Sequence, residues 1–199
     1  MTTSSPTVGA LLLFPGAGTG RDHPSLVAVE RAVAQPPDRS GRALPVGRAD
    51  FPYRRAGRRA PDRAPKLVAS VREEAAALVA ESGIEPGALA LGGRSMGGRM
   101  CSMAVAEGLP AAALVLIAYP LHPPGRPDKL RIEHFPEIDV PCLFVSGTRD
   151  PFGTPDQLEA HTEAIAGPVT HVWVDGARHE LKGADEHVAE TVRDWLTSL

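Results

Sequence analysis

The chain has 199 residues, 43% of them apolar and 5% aromatic, and a formal net charge of −3 at pH 7. That length supports one domain with a substantial core, and the near-neutral charge gives no reason to expect a nucleic-acid partner. Cys101 and Cys142 are too few for a disulfide framework and lie in no CxxC or other metal-ligand spacing, which fits a reducing cytoplasm. No export signal or membrane segment is expected: MTTSSPTV lacks a basic n-region, and the longest apolar run, residues 111–119, is far short of a bilayer span.

In chain order, VGALLLF (8–14), closed by PGAGTG, reads as a strand buried on both faces of a parallel sheet. A helix follows, with Pro24 at its first position, Leu26, Val29 and Val33 on one face, and Pro36-Pro37 as its end. RALPVGRADF is weakly apolar and is placed loosely as a strand within 43–51. An arginine-rich loop (54–63) leads to a helix in which Leu67, Val68, Val71, Ala75, Leu78 and Val79 repeat at helical spacing up to Gly83. Residues 89–92 read as strand, 96–108 as a helix rich in small residues, 112–118 as strand and 142–146 as strand. Thr154-Pro155-Asp156-Gln157 has the form of a capping box opening a helix to Ala166. Residues 171–174 form the last expected strand, and Val188, Val192, Trp195, Leu196 and Leu199 make the apolar stripe of a closing helix.

Alternating strands and helices of this kind predict a single α/β domain, a mainly parallel sheet of about six strands with helices on both faces. Only about two dozen proline-rich residues separate the fourth strand from the fifth, so no cap domain is expected and the site should be open. In such sheets active sites lie beyond the carboxyl ends of the strands.

After the third strand comes Gly93-Arg94-Ser95-Met96-Gly97, a G-x-S-x-G motif set between strand and helix. A sharp turn there lifts the serine hydroxyl above the sheet and leaves no room for flanking side chains, which suits a nucleophile. The alternative is a glycine-rich turn in which Ser95 caps the next helix. A nucleophilic serine needs a base, and the base an orienting acid. Asp150 follows the fifth strand and His179 the sixth, in the order serine, acid, histidine, with Asp175 as the nearest alternative carboxylate. Of the seven histidines, the other six precede the acid, lie within expected helices or open a strand. Read blandly, His179 is a solvated loop histidine and Asp150 the start of a helix. Oxyanion donors are expected from the backbone N–H of Met96 and from the first loop, with Ala17 preferred and Gly16 as the alternative. Tyr53, Tyr119 and His122 are candidate acyl-pocket residues or packing residues, and Arg94 a candidate contact for an anionic group or a solvated side chain. Arg54, Arg55, Arg58, Arg59 and Arg63 are either an attractor for anionic substrates or a solvated face paired with acids.

These motifs resemble those of small α/β-hydrolases related to dienelactone hydrolase. More closely, they resemble the subgroup with a testis-expressed protein and the hydrolase-like domain of a histone-acetyltransferase (NSL) complex subunit. The likeness runs through LLLFPGAGTGRDHP, DFPYRRAGRRAPDRAPKL, GGRSMGGRM, YPLHPPGRPDKLR and GTRDPFG, nearly the whole chain. It implies a Ser95, Asp150, His179 triad, a small-molecule ester or thioester substrate, and no metal or organic cofactor. Pro15-Gly16 stands where such families commonly have histidine-glycine, and Ser95 where better-known dienelactone hydrolases have cysteine. The second reading is a hydrolase-shaped scaffold with little catalysis.

Overall fold

The computed structural model describes residues 7–35 and 43–199; the helix end expected at Pro36-Pro37 lies outside them. Six parallel strands form one sheet in the order β2-β1-β3-β4-β5-β6. They are β1 (Ala10–Phe14), β2 (Val46–Arg48), β3 (Leu89–Arg94), β4 (Ala113–Ile117), β5 (Cys142–Gly147) and β6 (Val169–Val174). The helices are α1 (Pro24–Ala34), α2 (Pro52–Arg55), α3 (Ala64–Ser82), α4 (Met96–Ala106), α5 (Pro155–Thr162) and α6 (Asp185–Thr197).

Strand alternation divides the core into two layers. Ala10, Leu12, Phe14, Leu114, Leu116 and Phe144 pack with α3 and α4 through Leu67, Val71, Met100 and Ala104. Leu11, Leu13, Val115, Ile117, Leu143 and Val145 pack with α1 and α6 through Leu26, Val29, Val188 and Val192. Central strands must therefore be apolar on both faces, and all five residues of β1 and of β4 are buried.

Several boundaries differ from expectation for local reasons. β2 is three residues long and only half-buried, because it lies at the sheet edge and pairs with β1 alone. The single turn of α2 leads into the expected arginine-rich loop and takes up its first two residues, started by Pro52 and closed by hydrogen bonds from Arg54 and Arg55 N–H to the Phe51 carbonyl. α5 stops at Thr162, short of Ala166, because the chain folds back: Ala166 and Gly167 donate to the Ile138 carbonyl. A Cβ on Gly167 would lie 2.3 Å from the Val140 carbonyl oxygen, so only glycine permits that approach. β6 then begins at Val169, two residues earlier than its apolar pattern suggests, in register with Cys142 of β5. Between β4 and β5 the helical content is one 3₁₀ turn, Phe135–Glu137, so no cap domain covers the sheet. Among the described residues no helix is long and apolar enough to cross a membrane.

The strand order reverses direction between β1 and β3, and a crevice opens there at the carboxyl edge, where the loops after the two strands diverge.

Candidate active site

Ser95 directly follows β3 and has φ 51° and ψ −116°, a left-handed conformation that a non-glycine residue holds only under constraint from its surroundings. Two features supply that constraint. The Ser95 N–H donates to the Ile117 carbonyl at 2.8 Å, so the β-ladder runs into the turn. Residues 93 and 97 then press against β1: a Cβ on either would lie 2.2 Å from the Phe14 carbonyl oxygen, which is why glycine flanks the serine. α4 starts at the next residue and points its amino terminus at the turn.

The loops after β5 and β6 bring two more polar side chains to this point. His179 Nε2 lies 2.8 Å from Ser95 Oγ, and His179 Nδ1 lies 2.8 Å from Asp150 Oδ2. Asp150 and His179 are buried, and the Phe152 N–H donates to the other carboxylate oxygen of Asp150 at 2.8 Å. With Asp150 ionised, the imidazole carries its proton on Nδ1 and leaves Nε2 free to accept from the serine. The Phe152 ring stacks on the imidazole, centroids 4.0 Å apart, and covers one of its faces. Asp175, the alternative carboxylate, instead accepts from the Thr148 hydroxyl at 3.3 Å on the surface.

The crevice holds a cavity of about 500 Å³ whose lining includes Gly16, Ala17, Ser95, Met96, Phe152 and His179. Both expected oxyanion residues, Met96 and Ala17, thus face the same space as Ser95, as does Gly16. The first loop is held in shape by its carbonyls: Gly16 accepts from Thr19, and Ala17 accepts from the Tyr53 hydroxyl at 2.7 Å.

Arg94 lines the cavity too, but it is neither solvated nor free: it is buried, and its guanidinium donates to the His179 carbonyl at 2.9 Å. Burial pushes its pKa down, against the nearby negative charges of Glu180, Asp150 and Asp185. Three residues expected either in the pocket or in packing take the packing role. Tyr53 is buried against Phe51 and supports the first loop through its hydroxyl. Tyr119 is buried between Phe135 and Phe144, its hydroxyl donating to the Arg131 carbonyl at 2.8 Å. His122 is buried with Nδ1 2.9 Å from the Pro123 carbonyl oxygen and Nε2 3.3 Å from Gln157 Oε1.

The arginine-rich segment is likewise a solvated face. Arg55 pairs with Glu74, and Arg58 with Asp62 at 2.9 Å. None of these five arginines lines the cavity; the residue of that segment that does is Asp62, held by Arg58 and Lys66. Sequence reasoning missed Arg99, Met100 and Arg131 in the wall. Arg99 carried a usable signal, since it lies four residues after Ser95 and hence one helical turn along the same face.

Residues 7–197 match the model of a family described as "Alpha/beta hydrolase domain". Epoxide hydrolase A of Mycobacterium tuberculosis is 38% identical over 63 residues, 31% of this chain and 20% of that protein, so the chain matches about a fifth of this relative. Among solved structures, a dienelactone hydrolase from Anabaena variabilis superposes with a TM-score of 0.75 at 21% identity, covering 96% of this chain and 87% of the other. An alpha-beta serine hydrolase homologue from Coxiella burnetii gives 0.70 at 19% identity, over 99% and 86%. At such identities the superpositions speak for the fold alone.

Proposed function

Because the chain belongs to the alpha/beta hydrolase family, matched from residue 7 to 197, we propose that it is a serine hydrolase of small carboxylic esters or thioesters. The observation that carries this reading is the continuous run of hydrogen-bond distances from Ser95 Oγ through the His179 imidazole to Asp150. In the reaction, His179 Nε2 takes the hydroxyl proton while Ser95 Oγ bonds to the substrate carbonyl carbon. The resulting imidazolium is stabilised by Asp150 and passes its proton to the leaving alcohol or thiol as the acyl–oxygen or acyl–sulfur bond breaks. Water, deprotonated by the same imidazole, then attacks the acyl-serine, and the serine leaves with the proton.

Charge on the carbonyl oxygen is met by the N–H of Met96, an orphan donor at the first position of α4. The second donor is the N–H of Ala17, which gives no hydrogen bond to another protein group among the described residues. The Thr19 N–H and hydroxyl and the Tyr53 hydroxyl, donating to the two neighbouring carbonyls, orient the peptide planes of that loop, so Pro15-Gly16 serves in place of histidine-glycine. Arg94 is a positioning residue that ties the His179 loop to the serine turn. We place the protein beside the testis-expressed and histone-acetyltransferase-subunit relatives on the strength of GGRSMGGRM, and in a reducing cytoplasm, in keeping with two buried free cysteines.

The test is hydrolysis of phenyl butyrate. Wild-type protein turns it over at a rate proportional to enzyme, and Ser95→Ala lowers kcat by at least about a thousandfold. Equal turnover by the alanine variant contradicts the proposal.

A further inference from the structure

Resting on the serine-hydrolase reading, we infer that Arg99 and Arg131 form an anion subsite that holds a carboxylate on the acyl part of the ester. Both side chains line the cavity that holds Ser95 and His179. Arg99 is brought there by α4, where its N–H donates to the Ser95 carbonyl at 3.1 Å, one turn along from the nucleophile. Arg131 is brought there by its own backbone: its N–H donates to the Leu121 carbonyl at 2.9 Å and its carbonyl accepts from Tyr119.

The two guanidiniums share a wall, and among the described residues neither is ion-paired. Among the same residues the buried Nε of Arg99 has no hydrogen-bond partner. Their mutual repulsion is felt locally: after burial, the charge on Arg99 is what pushes the pKa of Arg131 down, and it does the same to His134. Two like charges held together beside a nucleophile, one with an idle buried donor, are complementary to an oxoanion that accepts from both planar forks.

The chemistry narrows further. The leaving group must sit against His179, which protonates it, so the acyl group extends along the remaining wall, where Arg99, Met100 and Arg131 stand. About 500 Å³ suits a short chain, such as the half-ester of a four- or five-carbon dicarboxylic acid. A half-ester also lays its methylenes against Met100 and Leu67 in the same wall, apolar contacts that inorganic phosphate lacks.

Two measurements separate this inference from the reading beneath it. In the first, kcat/KM is compared for phenyl hydrogen glutarate and phenyl hexanoate, an anionic and a neutral acyl chain of similar length. Wild type should favour the anionic ester by about 10- to 100-fold, the range expected for charge-assisted hydrogen bonds. Arg99→Gln and Arg131→Gln should each lower that ratio about tenfold, Arg99→Lys, which keeps the charge but loses the planar fork, should retain only part of it, and Arg55→Gln on the exposed face should leave it unchanged. A wild-type ratio near one, or a ratio indifferent to both glutamine variants, overturns the subsite while leaving the serine mechanism standing. Loss of turnover of both esters by the wild type strikes at the serine mechanism instead. In the second, monomethyl glutarate is titrated into Ser95→Ala protein by calorimetry, which needs no catalysis. It should bind at least about fivefold more weakly when Arg99→Gln is added. Inorganic phosphate should compete poorly; phosphate binding more tightly than the half-ester overturns the assignment to a carboxylate.

Discussion

The carboxyl edge of the sheet and the sheet's interior obey opposite rules. In the interior, strand residues alternate between two apolar layers and every residue of β1 and β4 is buried. At the edge lie all three non-glycine residues with left-handed φ among those described: Ser95, Ala118 and Leu181. There too lie the buried residues with charged or imidazole side chains, namely Arg94, His122, Asp150 and His179. Each costs something locally, as strain or as desolvation, and each is held by the regular packing below it. The interior thus supplies stability, and the edge spends part of it on geometry. Substitutions should separate accordingly, into those that change rate and those that change stability.

The largest expected effect is at the edge. Asp150→Asn keeps the size of the side chain but favours the imidazole tautomer with its proton on Nε2, where it opposes proton transfer from Ser95. We expect kcat for phenyl butyrate to fall about 10⁴-fold while the melting temperature moves by no more than a few degrees. A wild-type rate in this variant would pass the orienting role to another carboxylate and blur the comparison. Next comes the interior: Leu116→Ala, buried among residues of the α3 and α4 layer, should cost about 2–5 kcal/mol in denaturant unfolding while leaving kcat per folded molecule unchanged. A loss of kcat in the folded variant would show that the layers are not independent of the edge.

How much of this was legible in the sequence follows the same division. The Gly93–Gly97 turn could be read because its constraints are local: two glycines, a strand before and a helix after. Asp150 and His179 could be read because strand ends fix chain order. For Tyr53, Tyr119 and His122 the sequence leaves cavity and packing roles open, because a position after a strand is visible in sequence, whereas whether a side chain turns down into the core or up into the cavity depends on the loops around it. Arginine density drew attention to residues 54–63, where the fold pairs Arg55 with Glu74 and Arg58 with Asp62. Arg99 and Arg131 are 32 positions apart and are joined only by the return of the β4–β5 excursion onto α4. The short β2 was blurred because an edge strand buries too little to show a clear apolar pattern.

Two smaller effects sharpen the comparison. Acid should weaken the fold through His134, whose pKa is lowered to about 4 by burial and then by Arg99. A histidine held neutral when folded binds fewer protons than its unfolded counterpart, so stability is full above about pH 6.5 and declines as pH falls toward 4. In His134→Gln that part of the decline should disappear from unfolding curves taken across the window. Smallest is Phe152→Ala, which uncovers one face of the His179 ring. A stacked ring pair is worth about 0.5–1.5 kcal/mol, so kcat/KM should fall by no more than about tenfold.

The account turns on Ser95 being an activated nucleophile, and covalent labelling tests that without knowledge of the substrate. Native protein treated with a fluorophosphonate should gain one adduct by intact mass, mapping to the peptide that contains Ser95. The adduct should be absent from Ser95→Ala and from heat-unfolded wild type. Labelling of the alanine variant to the same extent, or no labelling of native protein under conditions that modify a known serine esterase, would contradict the account.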